Sequence, residues 1–154
     1  MKRFLAVLLI FLTLPAFAYA DFISEAKAMY NLNAARYGLP QLPEPYRKLE
    51  TSEAFYCDPT NTVICFMLSD SKPIGMCQTV SETKLDDFLM TSACVLDVMN
   101  TENNQREAHG FLLELYAYCK TGNDREVHFH EYDNGFIISF KKEAGIYTFM
   151  CGDM

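Results

Sequence analysis

EVHFHEYDNGFIISFKKEAGIYTFMC, residues Glu126–Cys151, decides the fold. Its spacing predicts three strands joined by two tight turns and closed by a cysteine near the chain end. Asp133-Asn134-Gly135 and Glu143-Ala144-Gly145 supply the residues that tolerate positive φ at a hairpin reversal. A two-residue loop, either Asp133-Asn134 or Asn134-Gly135, places Val127, Phe129, Ile138 and Phe140 on one face. His128, His130, Ser139 and Lys141 then share the other. An antiparallel meander with an apolar face needs a cover, and amphipathic segments upstream can provide one. The fold class is therefore α+β: helices packed on an antiparallel sheet that ends in a three-stranded meander.

Working outward, the nearest helix is expected at about Gln105–Lys120. Ala108, Phe111, Leu112, Leu115 and Cys119 lie on one stripe, and Gly122 stands where a left-handed cap would end it. A second helix runs to about Met99 from a capping box at Thr79-Val80-Ser81-Glu82. Leu85, Phe88, Leu89, Ser92, Leu96 and Met99 share its face, while Cys94 projects from nearly the opposite side. That position predicts a disulfide hub reaching outward. Ala54–Leu68 reads either as a hairpin turning at Asp58-Pro59-Thr60-Asn61 or as a helix opened by Pro59, because the apolar run Val63–Leu68 has no period. Ser69–Pro73 is a loop and Ile74–Val80 an extended piece. At the front, Asp21 caps a helix to about Tyr37, stopped by Gly38. The prolines of Leu39–Pro45 then impose an extended strap.

The first twenty residues carry an export pattern: basic Lys2 and Arg3, the apolar stretch Phe4–Leu14, and small residues at Ala18-Tyr19-Ala20. The expected organisation is a cleaved signal peptide at 1–20, an N-terminal helix and strap at 21–48, and a disulfide-tied α+β domain at 49–154. The expected location is periplasmic or secreted, with no membrane span after cleavage. Losing Lys2 and Arg3 takes the formal charge from −7 to −9, which repels phosphate backbones, so no nucleic-acid partner is expected. Cys57, Cys65, Cys77, Cys94, Cys119 and Cys151 form an even set, read as up to three disulfides of open connectivity. No Cys-x-x-Cys occurs, which argues against zinc-ribbon and thioredoxin-like chemistry.

Strand residues two apart point the same way, so His128 and His130 could grip one metal beside Glu126. A zinc site needs three or four ligands, and the remaining histidine, His109, falls on a helix flank. The chain lacks Gly-x-Ser-x-Gly, His-Glu-x-x-His and any glycine-rich phosphate loop, so no spacing selects an enzyme or a cofactor. Tyr116, Tyr118, Tyr132, Tyr147 and Ile137 exceed what one small core can hold. Some of them should face outward beside carboxylates, a mixture suited to protein contacts.

The segment Ile64-Cys65-Phe66-Met67-Leu68-Ser69-Asp70-Ser71-Lys72-Pro73-Ile74-Gly75-Met76-Cys77, with Leu85 and Asp87-Phe88 after it, resembles the cysteine-bearing stretch of TrbM-type conjugal transfer proteins. Phe111-Leu112-Leu113 ahead of Cys119 echoes a later part of that family's pattern. The resemblance covers about a quarter of the chain, and Cys119-Lys120 stands where the family has Cys-Pro. It implies a small exported accessory factor and assigns no functional residue. The expected function is a non-enzymatic protein-binding module of the inhibitor, immunity or secretion-accessory type, acting on another exported or envelope protein through an acidic, aromatic surface. The alternatives are a conjugal transfer or envelope-assembly factor and a small metal-dependent enzyme using His128 and His130.

Overall fold

The turn at Asp133-Asn134-Gly135 holds three residues, not two. The Tyr132 amide donates to the Phe136 carbonyl at 2.9 Å, the Gly135 amide donates to the Tyr132 carbonyl at 2.9 Å, and Gly135 sits at φ 84°. A turn closed by one left-handed residue is the usual three-residue hairpin. The added residue shifts the register by one and reverses the expected facing of the first strand. His130 now stands opposite Ile138 and His128 opposite Phe140, so both histidines point inward. Val127 and Phe129 point outward instead, at 51% and 60% exposure. The second reversal keeps two residues, with Ala144 at φ 50° and Gly145 at φ 79°.

The computed structural model describes residues 2–80 and 84–153, with side chains from Tyr19 onward. Its strands are β1 (Arg47–Leu49), β2 (Ser52–Cys57), β3 (Thr62–Ser69), β4 (Lys72–Thr79), β5 (Val127–Glu131), β6 (Phe136–Glu143) and β7 (Ile146–Asp153). They form one antiparallel sheet, in the order β1-β2-β3-β4-β7-β6-β5 among the described residues. The hairpin reading of Ala54–Leu68 is the one realised. Asp58–Thr60 makes a single 3-10 turn, and Asn61 takes the left-handed conformation that brings the chain back. The expected Ser69–Pro73 loop is shorter, because Ser69 pairs with Lys72 and only Asp70-Ser71 make the turn.

Three helices, α1 (Lys2–Tyr37), α2 (Leu85–Met99) and α3 (Gln105–Thr121), cover one face of the sheet. Tyr30 of α1 meets Phe66 edge-on, Ser92 of α2 lies 3.2 Å from the Cys77 sulfur, and Tyr116 of α3 packs on Phe140 at 5.8 Å. Gly75 lets α2 approach closely, since a Cβ there would lie 2.7 Å from both Met99 and Val95 carbons. Thr79 belongs to β4, and Ser81 and Glu82 of the expected capping box lie outside the described residues. Asn104 caps α3 through hydrogen bonds from the Arg106 and Glu107 amides. Gly122 ends that helix in an extended conformation, not the expected left-handed one, with its amide on the Tyr118 carbonyl at 2.7 Å.

Asp21 is not a helix start, because α1 runs through it unbroken to Tyr37, where Gly38 stops it at φ 67°. Ile23, Ala26, Tyr30 and Ala34 bury one stripe of α1 in the common core. The proline strap is held too, with the Leu42 amide on the Asn31 side chain at 2.8 Å and Leu39 against the core. This packing corrects the outward reading of Cys94. α1 lies on that side of α2, leaving Cys94 fully buried with its sulfur 3.6 Å from the Tyr30 carbonyl. The expected disulfides gain no support here, since all six cysteines are buried free thiols. Three intramolecular bridges do not fit this sheet, because Cys65 alternates to the outward face while the other five lie on the helix side.

Candidate functional site: an open strand edge beside an aromatic groove

The sheet ends in two different edges. β1 is three residues long and carries Arg47 and Lys48, the short charged edge that discourages strand addition. β5 is five residues long and shows Val127 and Phe129 to solvent. The Tyr132–Phe136 pair fixes which backbone groups are free. Hydrogen-bonded pairs alternate from it through His130–Ile138 and His128–Phe140. Val127, Phe129 and Glu131 therefore turn their N–H and C=O groups away from β6, toward an edge that no described strand occupies.

α3 runs along this edge and forms a groove of about 380 Å³ with it, lined by Phe111, Glu114, Leu115 and Tyr118 from the helix and Val127–His130 from the strand. The helical stripe that buries Leu112 and Leu115 leaves Phe111 and Tyr118 on its flank, where they meet the histidines. The His130 ring stacks on Phe111 at 3.5 Å with 12° between planes, and Tyr132 meets it edge-on at 4.6 Å. His128 lies beside Tyr118 at 5.9 Å. Its Nε2 is buried, without a hydrogen-bond partner among the described residues, and lies 4.0 Å from a Glu126 oxygen. That separation is electrostatic contact, too long for a hydrogen bond. Burial pushes the Tyr132 hydroxyl up, with Glu107 adding to the rise, so it stays a neutral donor.

The proposed metal pair is thus on one side of its strand, as the spacing requires, but its ring faces are engaged with aromatic side chains. Among the described residues, no three His, Cys, Asp or Glu side chains gather as a ligand set. His109, set aside in the sequence, makes the tighter contact: its Nε2 lies 2.6 Å from Asp97 Oδ1. The other oxygen of Asp97 accepts from the Tyr37 hydroxyl at 2.6 Å. A carboxylate orienting a histidine also serves nucleophilic enzymes, which place a nucleophile next in line. The thiol that feels the Asp97 charge is Cys94, and burial with that charge pushes it up to about 12. A neutral, buried thiol is a poor nucleophile. Asp97 instead ties α1, α2 and α3 together, a role that no sequence spacing announces.

Asp86 and Asp87 are exposed in the first turn of α2, where carboxylates complement the helix dipole. Of the four tyrosines of which some were expected outside, Tyr118 is exposed and Tyr132 half-buried, whereas Tyr116 and Tyr147 are buried. A second, smaller cavity of about 190 Å³ opens where Phe22, Met29, Met99 and Phe136 meet, with Glu25 and Glu102 among its lining residues. No helix among the described residues is long and apolar enough to cross a membrane.

The chain matches no protein-family model, no curated protein and no solved structure.

Proposed function

We propose that the protein is a non-enzymatic binding module that captures an extended segment of an exported or envelope protein as an eighth strand on β5. The free edge of Val127, Phe129 and Glu131 carries this reading, because unpaired main-chain groups beside a side-chain groove are what strand addition uses. The main chain supplies affinity and alternate side chains of the guest enter between Phe111 and Tyr118. Glu114 within the groove and Glu126 at its end favour a guest with basic side chains, as does the net charge of −7. Export through the leader at 1–20 supplies the compartment. A transfer or envelope-assembly apparatus, suggested by the resemblance around Cys65 and Cys77, is one setting for such a module.

The test is a library of extended peptides, basic and acidic, titrated against the full chain by fluorescence anisotropy, with amide exchange on the best binder. Basic, strand-forming peptides should bind and protect the amides of Val127, Phe129 and Glu131. Phe129→Pro removes one outward amide without touching the ladder to β6, and should weaken binding at least about tenfold while circular dichroism is unchanged. Phe111→Ala should weaken it by a similar factor. A binder indifferent to both substitutions, or a library without binders, rejects the proposal.

A further inference from the structure

β3 contains the unbroken apolar run Val63–Leu68, the pattern of a strand covered on both faces. The structure covers one. Ile64 and Phe66 are fully buried under the helices, while Val63, Cys65 and Met67 alternate to the other side. The same holds across the sheet, where Met76 pairs with Cys65 and with Met150, and all three point away from the helices. The contacts that anchor α1, α2 and α3 fall on inward residues such as Phe66, Cys77 and Phe140. An antiparallel sheet with a wet face normally shows polar side chains there. This one shows Met67, Met76, Met150 and Val63 along its middle, with Gln78, Thr148 and Ser139 between them.

We infer that this outward face is the interface between two copies of the chain, packed sheet on sheet. Six adjacent strands, most of them eight residues long, make a face on the order of 700 Å². That matches the roughly 800 Å² per partner of a stable specific complex. Charge selects the occupant. The chain carries −7, yet the charged residues on this face, Arg47, Lys72 and Lys141 against Glu131 and Glu143, nearly balance. Two copies repel least here, and a two-fold arrangement sets cations of one near carboxylates of the other. Met67, Met76 and Met150 are unbranched and interdigitate readily across two facing sheets.

The full chain is tested by sedimentation over a dilution series, with peroxide oxidation of its methionines followed by mass spectrometry. A species of twice the chain mass is expected at micromolar concentration. Oxidation of Met67, Met76 and Met150 should slow several-fold as concentration rises, while Met29 and Met90, on the helices, react at a fixed rate. Met150→Lys should give a monomer, and Met150→Leu should keep the dimer. A monomer at all concentrations overturns the inference, as does a dimer whose three sheet methionines oxidise at a rate independent of dilution. The oxidation readout uses the unaltered chain, so it decides even if Met150→Lys fails to fold. Phe111→Ala, on the helix side of the sheet, leaves this interface in place, which separates it from strand capture at β5.

Discussion

At the scale of single residues, Asp97 is the side chain on which the helical layer most depends. One carboxylate, 9% exposed, holds a hydroxyl from α1 and an imidazole from α3, each at 2.6 Å. Burial, and then Asp97 itself, keeps the Tyr37 hydroxyl well above its ordinary pKa, so it remains a donor. Asp97→Ala removes the acceptor and leaves two partly buried polar groups behind. The expected cost is about 2–3 kcal/mol, because orphaned groups lose more than the bond that held them. Asp97→Asn keeps an acceptor for Tyr37 and should cost about 1 kcal/mol. Urea denaturation with an unchanged slope checks both, and a loss below about 0.5 kcal/mol for the alanine would show water replacing the carboxylate. Nothing in the sequence marks Asp97, since its partners come from segments sixty residues before it and twelve after.

At the scale of elements, the meander and both later helices were legible because each carries its own period and its own stops. What failed was facing. The chemistry of Asp133-Asn134-Gly135 suits a loop of two residues or of three, and the choice is settled by packing. His130 gains a ring contact with Phe111 in α3 that Phe129 would otherwise displace. One residue of slip therefore moved the candidate site from solvent into a groove. Cys94 was misplaced for a similar reason: a single helix wheel shows one core, and α2 is buried between the sheet and α1. The same double burial sets an alkaline limit. Burial lifts the Cys57 thiol from 9.0 to about 11. Burial and the Asp97 charge lift Cys94 to about 12. Each group holds its proton more tightly folded than unfolded, so the unfolded chain loses protons first as pH rises. Stability of the reduced protein should be level up to about pH 9 and fall steadily from there toward pH 11 and beyond. Urea midpoints taken in reductant across that range give the answer; a midpoint unmoved at pH 10.5 would mean the thiols are wet.

At the scale of the whole molecule, the sheet is a partition, and it governs which disulfides the chain can form. Cys57, Cys77, Cys94, Cys119 and Cys151 share the helix side; Cys65 stands alone on the other, 7% exposed. Six cysteines suggested three bridges, yet a bond from Cys65 to any of the five would have to pass through the backbone of its own sheet. The inward pair on adjacent strands is Cys77 with Cys151, both fully buried. Cys77 faces Phe149 across β4 and β7, so Cys151 is its diagonal neighbour on the same face, about 7–8 Å away and at the outer limit for a bridge. Differential alkylation and peptide mass mapping of protein held under oxidising conditions should find at most two intramolecular bridges. Cys65 should be alkylated, or joined to a second molecule. Cys77→Ser should then leave Cys151 free to alkylate after denaturation, because its partner is gone. Three intramolecular bridges, or Cys65 joined within its own chain, would require a different strand order from the one that creates both the β5 edge and the outward apolar face.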